Sequence, residues 1–149
     1  MKIFYYILAT GLGTGFSPLA PGTAGSLLSL LLIYFFSPIP PYILVLFIIV
    51  LFFLGVFAST QVEKDRGHDP SIVVIDEIVG MSIGLLFLPP NLTLFFIAFV
   101  LFRIFDIFKP PPINISQKLP AGWGVMMDDV IAGLYTLFLV QLIRVCAGF

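Results

Sequence analysis

Charge is what this sequence has least of. Asp, Glu, Lys and Arg make up 10% of its 149 residues, against about 25% in an ordinary soluble domain. Apolar residues make up 60%, and a soluble chain this short would leave much of that surface in water. Lipid is the better solvent for such a composition. Cysteine is nearly absent too. Cys146 stands alone, which excludes an intrachain disulfide and a thiolate metal cluster, and its place in the last apolar run reads as packing. The lone histidine, His68, lies in a polar loop and reads as a solvated side chain. No basic stretch carries interleaved aromatics, so nucleic acid is set aside as a partner. D-x-D and Cys-x5-Arg nucleophile signatures are missing.

What is present is a series of apolar runs. Lys2, the run Ile3 to Ala9 and Ser17-Pro18-Leu19-Ala20 loosely imitate a secretory signal. The run is short, and Gly11, Gly13 and Gly15 break the pattern directly after it, so an interfacial or re-entrant helix is expected. Five further runs cover about Ala24–Phe36, Pro41–Thr60, Ser71–Leu88, Leu92–Phe108 and Asp128–Cys146. The second has roughly the 20 residues a hydrocarbon core requires; the first is short. No repeat and no soluble domain interrupts them. The expectation is an all-α, polytopic transmembrane bundle, a single domain over residues 1–149 with about five membrane-embedded helices.

If all five runs cross, Pro21 to Ser26, the polar loop 61–76 and the loop 109–128 share one face. The opposite face receives two short proline turns and the C-terminus. Lys64, Arg66, Lys109 and Lys118 all lie on the polar face, and the positive-inside rule makes it cytoplasmic.

Asp76 and Glu77 fall in the first turns of the third run, Arg103 and Asp106 in the last turns of the fourth. Ionisable groups at membrane depth face a bundle interior or a polar cavity. They read either as a site at the membrane surface or as a structural ion pair of Arg103 with Asp76 or Asp106. Asp128 and Asp129 open the last run. One Asp would suffice to cap a helix there; two, added to Asp76, Glu77 and Asp106, would repel one another without a counterion. Hard oxygen ligands favour Mg²⁺. Pro21-Gly22-Thr23-Ala24-Gly25-Ser26 opens a helix with small residues, which suits either a phosphate or capping and close packing. Gly80 and Gly84, one turn apart, predict a close helix contact, and Trp123 an interfacial anchor.

Four segments together resemble the phosphatidylglycerophosphatase A family. They are Gly22-Thr23-Ala24-Gly25-Ser26, Asp69-Pro70-Ser71-Ile72-Val73-Val74-Ile75-Asp76-Glu77-Ile78-Val79-Gly80, Arg103-Ile104-Phe105-Asp106-Ile107-Phe108-Lys109-Pro110 and Gly122-Trp123-Gly124-Val125-Met126-Met127-Asp128-Asp129-Val130-Ile131-Ala132-Gly133. Where the family commonly has Lys-Pro-Trp-Pro-Ile, this chain has Lys109-Pro110-Pro111-Pro112-Ile113.

The resemblance implies a multi-pass enzyme of the bacterial inner membrane. It would remove the terminal phosphate of phosphatidylglycerophosphate, an anionic phospholipid, to give phosphatidylglycerol, with Mg²⁺ as cofactor and its site facing the cytoplasm. On that reading Asp76, Glu77, Asp106, Asp128 and Asp129 hold metal, and Asp76, Glu77, Asp106 and Asp129 serve catalysis. Arg103, Lys109, Thr23 and Ser26 bind the phosphate. The nucleophile is left open between water and an Asp, and a homo-oligomer is left open as well. The alternatives are a phosphatase of another lipid phosphate and a small ion transporter or channel using the intramembrane carboxylates.

Overall fold

The structure is a computed structural model that describes residues 2–68 and 70–148. Asp69, which opens the second matching segment, lies outside them. The described residues are all-α: α1 (Lys2–Ala9), a short 3-10 turn (Thr14–Phe16), α2 (Pro21–Phe36), α3 (Pro41–Arg66), α4 (Ile75–Gly84), α5 (Leu92–Phe108), α6 (Ile113–Ser116) and α7 (Gly122–Ala147).

Proline and glycine punctuate these helices. Pro21 and Pro41 open α2 and α3 at positions where a missing N–H costs nothing. Asn91 caps α5, its Oδ1 accepting from Thr93 N at 2.9 Å and Leu94 N at 3.1 Å. At the other end Lys109 adopts the left-handed conformation (φ 45, ψ 57), and its N–H closes on Phe105 O. Pro110 then forbids continuation.

Among the described residues two helices, not five, are long and apolar enough to cross a membrane on their own: α3 and α7. At 1.5 Å per residue each is about 39 Å long, against a hydrocarbon core of about 30 Å. By the same rise α2 and α5 reach only about 24 to 26 Å, and α4 about 15 Å. The third run falls short because helix geometry stops at Gly84 and the chain turns through Phe87 (φ 63) toward Pro89-Pro90. The carbonyls freed there are not left bare. Gln141 Nε2 donates to Leu86 O at 3.1 Å and Arg144 Nη1 to Phe87 O at 3.1 Å, so α7 satisfies the broken end of α4.

The last helix also begins six residues earlier than the sequence suggests. Gly122 N donates to Thr60 Oγ1 at 3.1 Å, and a Cβ on Gly122 would collide with Val56 O. The glycine lets α7 start against the backbone of α3. Asp128 and Asp129 therefore sit in the second turn of α7 and cap nothing.

The exterior is apolar: Phe35, Phe36, Phe53, Phe96, Phe138 and Val145 are all exposed. Only 33% of the apolar window of α3 and 22% of that of α7 are buried inside the protein. The core helix of a soluble protein would be mostly buried, so the outward faces fit hydrocarbon. Inside, α4 is the hub, packed against α2, α3, α5 and α7. Gly133 of α7 meets the carbonyl of Gly80 with no room for a Cβ, and a Cβ on Gly84 would lie 2.8 Å from Thr136. The Gly80–Gly84 stripe thus makes the close contact its spacing predicts. Trp123 rests edge-on against Phe52 and Phe53, at 5.6 and 6.4 Å between ring centroids.

Candidate metal and phosphate site

The polar ends of four helices meet around the start of α4. Asp76 and Glu77 form its first turn; α7 brings Asp128 and Asp129, α5 brings Arg103 and Asp106, and α2 brings Gly22 and Ser26. Asp128 and Asp129 are buried, at 4% and 2% exposure, and Asp76 is at 9%. Burial at this depth follows from the close α4–α7 crossing, since a Cβ on Gly80 would lie 2.5 Å from the carbonyl of Asp129.

Asp76, Glu77 and Asp129 each direct one carboxylate oxygen to a common point, all within 4.8 Å of one another. Asp76 Oδ1 and Glu77 Oε2 are buried with no hydrogen-bond partner. An unpartnered buried carboxylate oxygen costs several kcal/mol in desolvation, by order of magnitude. A divalent cation would remove that cost, and three hard oxygens are the donor set Mg²⁺ takes. The residues present therefore fit the metal that the sequence suggests.

The other two carboxylates are engaged with cations of the chain itself. Arg103 Nη1 lies 2.7 Å from Asp106 Oδ2, the structural pair that the sequence allowed, and 3.4 Å from Ser26 Oγ. Arg103 Nε is buried and unpartnered, so the guanidinium retains a donor. Lys109 Nζ lies 2.7 Å from Asp128 Oδ2 and 4.0 Å from Asp106 Oδ1. Burial alone would lower the Lys109 pKa. The bonded Asp128 carboxylate, with Asp129 and Asp106 behind it, outweighs that and holds the ammonium above its ordinary value. Asp128 also accepts from Gln117 Nε2 at 3.0 Å and, through Oδ1, from Asp129 N at 3.0 Å. Its oxygens are thus occupied by protein donors, unlike those of Asp76 and Glu77.

Ser26 is buried and donates to Gly22 O at 2.8 Å, which ties its hydroxyl to its own helix as well as to Arg103. Thr23 is half-buried and makes no side-chain hydrogen bond among the described residues. One residue that the sequence did not single out belongs here, and one that it did has a further role. Gln117 sits in a proline-rich loop, where no periodicity marks it. Gly22 was read for its amide, yet its missing side chain is what admits Glu77 Oε1, with Arg103 Nη1 3.1 Å from where a Cβ would stand.

Residues 7–144 match the family Phosphatidylglycerophosphatase A. The chain belongs to that family. It is 39% identical over 133 residues to the "Phosphatidylglycerophosphatase A" of Escherichia coli, covering 87% of this chain and 77% of the relative. To the protein of the same name from Haemophilus influenzae it is 38% identical over 143 residues, 93% of this chain and 88% of the relative. A Bacteroides thetaiotaomicron relative named "Putative phosphatidylinositol-3-phosphatase" is 43% identical over 150 residues, 95% of this chain and 94% of the relative. No solved structure matches. The curated relatives are named as lipid phosphatases, and this phosphatase family is the setting in which the buried carboxylates have to be understood.

Proposed function

We propose that the protein hydrolyses the terminal phosphate of phosphatidylglycerophosphate, releasing phosphate and leaving phosphatidylglycerol, at the cytoplasmic face of a bacterial inner membrane. The observation that carries this reading is the pair of buried, unpartnered oxygens on Asp76 and Glu77, converging with Asp129 beside Arg103 and Lys109, in a chain of this family. Asp76, Glu77 and Asp129 would hold Mg²⁺. Bound there, the metal would supply Lewis acidity and offset the charge of an approaching phosphate.

The chain's own groups do the rest. Arg103 and Lys109 bind phosphate oxygens, and Asp106 and Asp128 hold those two cations in place. The amides of Gly22 and Thr23 fall among the helix-start donors that lack an intrahelical acceptor, and they extend the cradle. The site lies at the ends of apolar helices, so the headgroup can reach it with its acyl chains still in the bilayer. Embedding α2, α4 and α5 as partial or tilted spans beside α3 and α7 is part of the same proposal. So is a cytoplasmic orientation, which rests on Lys64, Arg66, Lys109 and Lys118.

Phosphate release by the purified protein tests this, with Mg²⁺ and with chelator. The panel is phosphatidylglycerophosphate, phosphatidate, lysophosphatidate and phosphatidylinositol 3-phosphate. The last belongs because of the Bacteroides relative's name. Preference for phosphatidylinositol 3-phosphate would transfer the substrate assignment and keep the reaction class. No metal-dependent release from any of the four rejects the enzyme reading. Ion flux in proteoliposomes without phosphate release would favour a transporter.

A further inference from the structure

His68 reads from the sequence as a solvated loop residue, and its side chain is indeed 73% exposed. It is nevertheless held. Its Nδ1 lies 2.9 Å from Glu63 Oε1 in the last turns of α3, whose carboxylate is nearly buried. A carboxylate can only accept, so Nδ1 carries the hydrogen of that bond and Nε2 is the ring's working nitrogen. The ring forms one wall of a pocket of about 160 Å³; Gln117, Gly124, Val125 and Asp128 form the others. Asp128 is shared between the two sites. Its Oδ2 accepts both from Lys109, beside the carboxylate cluster, and from Gln117, which lines this pocket with it. The pocket therefore shares Asp128 with the place where the scissile phosphate is proposed to sit, and it holds an imidazole, a group that can give and take a proton.

The geometry points to His68 as the acid that protonates the leaving oxygen of the lipid phosphate, with Glu63 as its positioning residue. This inference rests on the phosphatase reading above. The oxygen of an attacking water forms the new bond to phosphorus. The phosphorus–oxygen ester bond breaks with its electron pair on the headgroup oxygen, and the proton on His68 Nε2 passes to that oxygen. The water's proton leaves to solvent, from which His68 is reprotonated, so the sum is ester plus water giving alcohol plus phosphate. An alkyl leaving group such as a glycerol oxygen is a strong base and needs that proton. A nitrophenol oxygen does not.

The test is the dependence of His68→Gln on the leaving group, measured in one preparation with Mg²⁺. The two esters are phosphatidylglycerophosphate and a nitrophenyl phosphate carrying an alkyl tail. Turnover of the lipid ester should fall about 100-fold or more, the usual size of a general-acid contribution. Turnover of the nitrophenyl ester should stay within about 3-fold of wild type, since no proton is needed there. Glu63→Gln should show the same selectivity with a smaller loss. A second readout is independent of turnover. The chain has a single histidine, so its modification by diethylpyrocarbonate, followed by peptide mass, reports on His68 alone. Phosphatidylglycerol should slow that modification and phosphatidylcholine should not. Equal losses on the two esters, no loss on either, or modification unaffected by phosphatidylglycerol overturns the assignment. A wild-type protein that hydrolyses no lipid phosphate would instead reject the function on which it rests.

Discussion

Lys109 Nζ and Asp128 Oδ2 stand 2.7 Å apart across the join between α5 and α7. The lysine owes its position to a left-handed residue at the end of α5. The aspartate owes its position to a helix that starts early enough to place it in the second turn. If Lys109 binds phosphate, Lys109→Gln should lower kcat/KM by about 10-fold to 100-fold, the size of one lost charge-assisted contact. Asp128→Asn should cost less, because the lysine keeps Asp106 within 4.0 Å. Steady-state kinetics on detergent-solubilised protein checks both. Equal activity in Lys109→Gln and wild type would remove the lysine from the site.

Crowding of buried acids makes a second prediction, about stability rather than rate. Without metal, the oxygens of Asp76, Glu77 and Asp129 repel one another, and two of these residues carry unpartnered oxygens. Asp76→Asn and Asp129→Asn each remove one charge from that cluster. Both should therefore unfold in chelator at a temperature equal to or above wild type. Added Mg²⁺ should raise the wild-type midpoint, because a ligand of the folded state stabilises it by mass action. It should raise the variants' midpoints less, and their Mg²⁺-dependent turnover should fall at least about 1,000-fold if these carboxylates hold the metal. Thermal unfolding with and without Mg²⁺ reads the first effect and phosphate release the second. Near-normal turnover in both folded variants would refute the site.

Much of this arrangement is written in local pattern. Asn91 and Lys109-Pro110 bound α5 where the apolar run says they should, and the Gly80–Gly84 spacing announces a close helix contact, though not that its partner is α7. The acidic pairs are visible because charge is so rare here that each instance stands out. Other features are written only in tertiary contact. Nothing local says that Gly122 will lie on the α3 backbone and start α7 six residues before its acidic pair. Nothing local says that Leu85–Leu88 will leave the helix and take its missing partners from Gln141 and Arg144. Gln117 and the Glu63–His68 pair belong to loop and helix-end segments that come together only once α3 and α7 are packed. The division of the carboxylates, three converging and two holding cations, depends on side-chain direction, which spacing does not supply.

The α4–α7 crossing gives a third prediction. A Cβ on Gly133 would strike the carbonyl of Gly80, which is backbone and has little freedom to move. Gly133→Ala should destabilise the protein by about 1 to 3 kcal/mol, the usual cost of overpacking. It should also lower activity, because Gly80 lies one turn from Asp76. Gly148→Ala is the control for glycine loss as such: it lies past the end of α7, where an added Cβ meets nothing within 4 Å. It carries a left-handed strain (φ 73) but no crossing. Unfolding midpoints in one detergent should separate the two, and a Gly133→Ala protein as stable as wild type would contradict the packing.

Membrane placement gives the last prediction, and the sequence supplies its probe. Cys146 is the single cysteine, exposed near the end of α7. Lys118 lies before the start of α7, near Gln117 and the acidic site. If α7 crosses, the two positions lie on opposite faces, since the helix between them is about 39 Å long. In spheroplasts, a membrane-impermeant maleimide should label Cys146 of the wild type. It should not label Lys118→Cys in a Cys146→Ser background until the membrane is breached. The reverse pattern would keep the crossing and place the acidic site outside the cell, against the bias of Lys64, Arg66, Lys109 and Lys118. Labelling of both positions in intact spheroplasts would mean that α7 lies along the surface. The exposed apolar faces of Leu134, Phe138, Leu142 and Val145 would then need a cover other than lipid.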